Sequence, residues 1–201
     1  PMQRSLFLGS CEGEKNFARN VKKQVKKICR RYGGMYITGL PAKMWEPGRY
    51  KDPYLREDLQ DYGILIDTLE TSVTWENLHK VHKDVRDYVK GRPETICMTH
   101  GSHFYPQGTN LYFIYIMKEK DLKDYTDFQS GIIDAINRSG GSLSHHHGVG
   151  KMIGPWMEKH LGKEQMDVIR ALKKHFDPNN IMNPGGQMGL DSKDKEWRKI
   201  K

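Results

Sequence analysis

The sequence predicts an α+β fold: a ferredoxin-like antiparallel sheet with helices on one face, followed by a C-terminal helical extension. Three observations predict it. Between Tyr62 and His147, short strand-like runs are interrupted by two longer stretches whose apolar residues recur every three or four positions. Their order is strand, helix, strand, strand, helix, strand, which is the split arrangement of an antiparallel sheet with its helices on one side. With 201 residues and 36% apolar content, the chain is long enough to bury one core.

The elements follow in order. Phe17, Val21, Val25, Ile28 and Tyr32 form one helical stripe among solvated lysines and arginines, and Gly33-Gly34 ends that helix. Met35 to Leu40 reads as a short strand, and a long loop rich in Pro, Gly, Tyr and charge then runs to Tyr62, with a length that suggests binding. A strand from Gly63 to Leu69 leads to a helix over Trp75 to Lys90, with Leu78, Val81, Val85 and Tyr88 on one face and Thr74 as its N-cap. Strands follow at Thr95 to His103 and Asn110 to Met117. The helix from Asp121 to Arg138 places Tyr125, Phe128, Ile132 and Ile136 in register and closes at Gly140-Gly141. Ser142 to His146 reads as the last strand. Lys151 to Leu161 is a short helical piece, and Glu164 to Phe176 carries Met166, Ile169, Leu172 and Phe176 as its stripe before Asp177-Pro178 stops it. The expected organisation is therefore an N-terminal helix, strand and loop over 1–61, a ferredoxin-like core over 62–147, a helical segment over 148–188 and a charged tail over 189–201.

A formal charge of +8, with 33 basic residues, favours anionic partners: phosphates, acidic lipid head groups or an acidic neighbouring domain. The basic residues are scattered and no nucleic-acid module accompanies them, so nucleic acid is not expected. Cys11, Cys29 and Cys97 are odd in number and far apart, which supports neither a disulfide framework nor a zinc knuckle and suits a reducing compartment. No apolar run approaches the roughly 20 residues of a membrane span, and the N-terminus lacks a signal-peptide profile.

The most telling stretch is Gly140-Gly141-Ser142-Leu143-Ser144-His145-His146-His147-Gly148-Val149-Gly150-Lys151. It crowds three imidazoles, which titrate near neutral pH, between glycines that let backbone approach a flat cofactor or an anion. If the run is extended, His145 and His147 point to one side and His146 to the other. Taken alone, such histidines also fit a surface turn with no chemistry.

This stretch resembles the histidine-rich signature of the alkyldihydroxyacetonephosphate synthase (alkylglycerone-phosphate synthase) family, within the FAD-linked oxidase superfamily that includes vanillyl-alcohol oxidase and D-lactate dehydrogenase. Leu69-Glu70-Thr71-Ser72-Val73-Thr74-Trp75 is similar to the family's segment before a helix, and Asp177-Pro178-Asn179-Asn180-Ile181-Met182-Asn183-Pro184-Gly185 is similar to the superfamily's closing motif. Together the similarities cover roughly residues 50 to 187. No glycine-rich nucleotide fingerprint or flavin-domain segment is present, so the chain reads as the C-terminal, substrate-side half of a longer enzyme, with its own N-terminal FAD-binding domain as first partner.

The resemblance implies FAD as cofactor and exchange of the acyl group of acyl-dihydroxyacetone phosphate for a long-chain alcohol. It implies Tyr112, His146 and His147 as catalytic residues, with the histidines moving protons and Tyr112 activating the substrate carbon. Arg56, Ser72 and Lys151 would bind the phosphate-bearing, lipid-like substrate. His145, His146 and Asn183 would face the cofactor. Each also has an ordinary reading: sheet packing for Tyr112, a solvated surface cation for Arg56 or Lys151, and a helix-stop turn for Asn183.

No metal is expected. In the hydroxy-acid dehydrogenase branch two histidines and a glutamate bind metal, but Tyr112 and His146 stand where a histidine and the glutamate would be; a set of His103, His145 and His146 is the lesser reading. The alternatives are an FAD-dependent D-2-hydroxy-acid dehydrogenase or oxidase, and a non-catalytic ferredoxin-like binding module. A cytoplasmic location is expected, with peripheral membrane contact because the implied substrates are lipids; a homodimer is compatible with all of this. Lys199-Ile200-Lys201 is no peroxisomal address.

Overall fold

The computed structural model describes residues 5–48, 50 and 53–186. The chain divides after Glu57 into two compact units. The expected charged tail over 189–201 lies outside the described residues.

In the first unit, helix α1 spans Lys15–Arg31, capped by the Glu14 carboxylate, which accepts the N–H groups of Asn16 and Phe17. The anticipated apolar stripe is present, yet Phe17, Ile28 and Tyr32 all stay exposed. Met35 to Leu40 does not form a strand. A strand needs a ladder partner, and none pairs with it among the described residues; instead the Thr38 hydroxyl accepts the Leu40 N–H at 3.3 Å and helix α2 begins, spanning Leu40–Gly48. The anticipated long loop therefore contains two helices, α2 and α3 (Pro53–Gln60). Pro41 and Pro53 both fall in first turns, where a missing N–H costs nothing.

The second unit is the α+β fold. Strand β1 (Ile64–Thr74) pairs antiparallel with β3 (Gly108–Lys118), which pairs on its other side with β2 (Thr95–Ser102), giving the order β1-β3-β2. Strand β1 runs five residues beyond Leu69, held to β3 as far as Thr74 opposite Gly108. Helix α4 therefore starts later, spanning Leu78–Gly91 with Asn77 in the N-cap place in which Thr74 was expected. Helix α5 spans Leu122–Ser139, opened by the Asp121 carboxylate accepting the Asp124 N–H and closed by Gly140 in the left-handed region at φ 87°.

Both helices pack on one face of the sheet, where Leu65, Leu69 and Val73 of β1, Phe113 and Met117 of β3, Val81, Val85 and Val89 of α4, and Ile132 and Ile136 of α5 form the core. Arg92, just past α4, clamps the start of α5 through two bonds of 2.6 and 2.7 Å to Asp124. At the α4/α5 contact a Cβ on Gly131 would lie 1.8 Å from the Tyr88 hydroxyl, so only glycine fits.

Ser142 to His146 lies along the free edge of β1, where a fourth strand would sit, but forms no strand. One backbone bond, Ser142 N–H to the Ser72 carbonyl at 3.0 Å, starts the pairing. The next backbone donors turn inward to a side chain instead. The helical segment then runs through α6 (Gly150–Ile153), a 3₁₀ turn (Gly154–Trp156), α7 (Met157–Leu161) and α8 (Lys163–Phe176). Ile153, Trp156, Met157 and Met166 join the core, and the Trp156 indole donates to buried Asp134 at 2.8 Å, fastening this segment to α5.

Candidate functional site

Alternation along the strands puts a second set of side chains on the face that α4 and α5 leave uncovered. Cross-strand partners share a face, so Glu70 lies beside Tyr112, and Tyr112 beside His100; Ser72 lies beside Asn110. The other end of this face is apolar, with Ile96 and Met98 exposed. The histidine run closes over the polar end.

Glu70 organises that end. Its carboxylate is 2% exposed, and its Oε1 accepts the backbone N–H groups of His145, His146 and His147 at 2.8, 2.6 and 2.8 Å. Its Oε2 accepts the Asn110 side-chain N–H at 2.6 Å and lies 2.7 Å from His146 Nδ1. Burial alone would raise the pKa of this acid, but the N–H groups of His146, His147 and His145 and the Asn110 amide outweigh it and hold it down at about 2. These bonds explain the missing strand: three consecutive N–H groups that could have served a ladder converge on one oxygen. The alternation expected for the three rings is lost with it.

The imidazoles instead meet one another. His145 Nδ1 and His146 Nδ1 are 2.9 Å apart, the rings of His146 and His147 are 4.4 Å apart between centroids, and His147 meets the ring of Tyr112 edge-on at 5.2 Å. The other ring nitrogen of His145 lies 3.2 Å from the Tyr105 hydroxyl. The Thr68 hydroxyl donates to the Tyr112 oxygen at 3.1 Å, which leaves the phenolic proton free to point elsewhere. His103, at the end of β2 with φ 51°, brings its ring within 4.7 Å of His146. One ligand-type atom from each of His103, His145 and His146 falls within a 4.8 Å span, as does one from each of Glu70, His146 and His147.

The structure thus brings together Tyr112, His145, His146 and His147. A cleft of about 230 Å³ adjoins them, lined by Thr68, Glu70, His147, Gly148 and Lys151 among others. Lys151 is exposed, and the turn at Asn183 approaches it: a Cβ on Gly185 would stand 3.6 Å from the Lys151 side chain. Asp177 shapes that turn, accepting the N–H groups of Ile181 and Met182 at 2.9 and 3.0 Å and pairing with Lys173, which also donates to the Met182 carbonyl. Lys173 first, and then those N–H groups, hold the Asp177 carboxyl below its usual range. The Ser72 hydroxyl is 2.8 Å from that of Ser142 and helps to pin the start of the histidine run. Arg56 lies on α3 in the first unit and is exposed.

Glu70 and Asn110 are the residues that sequence reasoning passed over. One signal was available: both are polar groups on strands, at positions facing away from the helices. Their partners lie 40 to 77 residues away.

The family model described as FAD linked oxidases, C-terminal domain, matches residues 5–186. The chain is 37% identical to the alkyldihydroxyacetonephosphate synthase of Dictyostelium discoideum, over 86% of this chain and 30% of that protein. It is 35% identical to an FAD-linked oxidoreductase of Escherichia coli O157:H7 named YgcU, over 90% of this chain and 40% of that one. A solved structure of an alkyldihydroxyacetonephosphate synthase superposes with a TM-score of 0.61 at 30% identity, covering 85% of this chain and 29% of that one. The chain therefore spans well under half the length of these relatives.

Proposed function

Because the chain belongs to the family of FAD-linked oxidase C-terminal domains, we propose that it forms the substrate side of a flavin enzyme of the ether-lipid type. In this reading the enzyme exchanges the acyl group of acyl-dihydroxyacetone phosphate for a long-chain alcohol. The observation that carries it is the cluster on the open sheet face, where Tyr112, His146 and His147 stand together beside a cleft that Lys151 helps to line.

The residues present fit FAD. A Cβ on Gly148 or Gly150 would enter open space, so the backbone there leaves room for a flat ring to approach. Tyr112 and the imidazoles offer both donors and acceptors to such a ring and its substrate. When bound, FAD supplies the electron-accepting ring system of the reaction.

The chain's own residues bind, orient and move protons. His146 and His147 take the proton of the incoming alcohol and return one to the departing acid. Tyr112, its oxygen already accepting from Thr68, donates its proton toward charge developing on the substrate oxygen. Lys151 and Ser72 bind the phosphate; Arg56, in the first unit, carries a planar guanidinium fork of the kind that suits such a group. His145 and Asn183 face the cofactor, and a preceding FAD-binding domain completes the enzyme.

A direct test incubates the intact natural polypeptide with acyl-dihydroxyacetone phosphate and an isotope-labelled long-chain alcohol. Label recovered in an alkyl ether supports the reading, and fatty acid release without ether overturns it. A second reading is an FAD-dependent D-2-hydroxy-acid dehydrogenase or oxidase; the similarity to the Escherichia coli protein favours an FAD-linked oxidoreductase without naming its substrate. Such a dehydrogenase or oxidase would need an electron acceptor in every turnover.

A further inference from the structure

We propose that Glu70 is the positioning residue of this site: its carboxylate keeps the proton of neutral His146 on Nδ1, which makes Nε2 of His146 the nitrogen that receives the substrate proton. The choice of His146 Nε2 as base rests on the reading above; the placement of the protons does not.

The Glu70 carboxylate already accepts three backbone N–H groups and the Asn110 amide, and it is ionised at any pH near neutrality. An ionised carboxylate has only lone pairs to offer. His146 Nδ1 stands 2.7 Å from Oε2, a separation at which a second lone pair would be repelled and an N–H favoured. His146 Nδ1 therefore carries its proton.

The next contact follows. His145 Nδ1 lies 2.9 Å from His146 Nδ1, and two N–H groups cannot point at one another, so His145 Nδ1 is the acceptor. Its proton is then on Nε2, where the Tyr105 oxygen waits at 3.2 Å. In the opposite order His145 would donate from Nδ1, the nitrogen 4.0 Å from the carboxylate, and the nitrogen 2.7 Å away would be bare. Electrostatics rejects that order. The one Nδ1 hydrogen of His146 thus serves two neighbours, the Glu70 oxygen and the His145 lone pair, and with its Nε2 facing Tyr105, His145 acts as a holding group. His146, 41% exposed in its side chain, keeps one nitrogen bare in the neutral form.

The test is the nitrogen NMR spectrum of the intact, flavin-loaded protein carrying labelled histidine, kept free of metal by a chelator and assigned with His145→Gln and His146→Gln. The expected result is a protonated Nδ1 on His146 and a protonated Nε2 on His145. In Glu70→Gln, whose amide can itself donate, the His146 proton moves to Nε2 in part or whole. A wild-type His146 protonated on Nε2 overturns the proposal, as does an unchanged His146 pattern in a folded Glu70→Gln protein. The wild-type spectrum decides even if the variant does not fold. Because it reads proton positions and not turnover, a correct tautomer without ether formation would sink the ether-lipid reading and leave the role of Glu70 standing.

Discussion

Glu70 and His146 meet twice: the carboxylate accepts the His146 backbone N–H at 2.6 Å on one oxygen and stands 2.7 Å from its ring Nδ1 on the other. One side chain on β1 thus fixes both the path of the histidine run and the face of one imidazole. A buried carboxylate is stable only when its lone pairs are met, and here a donor set drawn from a distant loop meets them. Fold and site consequently share the same bonds.

Removing that carboxylate should cost stability. Glu70→Ala leaves three backbone N–H groups and the Asn110 amide without their acceptor, and each buried donor left unpaired costs about 1–3 kcal/mol before relaxation. A net loss of about 3 kcal/mol or more is expected in urea unfolding of the intact protein. A loss below about 1 kcal/mol would mean that water replaces Glu70 without penalty.

The same group predicts acid sensitivity. Its pKa falls from 4.5 to about 2 on folding, so its contribution is present above pH 4.5 and disappears as the pH drops toward 2. That contribution is on the order of 3 kcal/mol. The stability gap between the wild type and Glu70→Gln should be widest near neutrality and close across this window. A gap that stays constant down to pH 2 contradicts the assignment.

Packing makes a sharper contrast between two glycines. Alanine in a helix interior is favoured over glycine by about 1 kcal/mol. Gly91→Ala, where a Cβ meets nothing within 4 Å, should gain part of that. Gly131→Ala should instead lower the melting temperature, because its Cβ would overlap the Tyr88 hydroxyl and overpacking costs about 1–3 kcal/mol. Equal melting temperatures for the two variants would show that α4 and α5 can part freely.

Catalysis separates the residues on the open face. Tyr112→Phe keeps the ring that meets His147 edge-on and removes only the hydroxyl, so flavin content and fold should survive while kcat falls about 100- to 1,000-fold. Unchanged turnover removes Tyr112 from the mechanism. Lys151→Ala should raise KM for the phosphate-bearing substrate and leave kcat nearly intact, as expected for a group that binds ground and transition states alike.

The helices α4, α5 and α8 and the three strands were legible because their apolar residues repeat at fixed spacing, and Gly140 marked the end of α5 as it should. What escaped were outcomes of tertiary competition. Ser142 to His146 has strand-like residues, but the pull of a carboxylate 75 to 76 residues away decides where the N–H groups of His145 and His146 go. Met35 to Leu40 has no partner edge among the described residues, which no local pattern reveals. Thr74 is a good N-cap residue, yet its place in the ladder opposite Gly108 keeps it in β1. At the site, the histidines stood out by residue type, and Tyr112 only through the family resemblance. Glu70 did not, because one acid in a strand says nothing until the loop that it holds is folded over it.

Acyl-for-alkyl exchange on this open face is decided by the anaerobic flavin spectrum of the intact natural polypeptide. Exchange requires bleaching on addition of acyl-dihydroxyacetone phosphate and recovery of colour on addition of a long-chain alcohol, with no electron acceptor present. Bleaching by a D-2-hydroxy acid alone, reversed only by an acceptor, would contradict it.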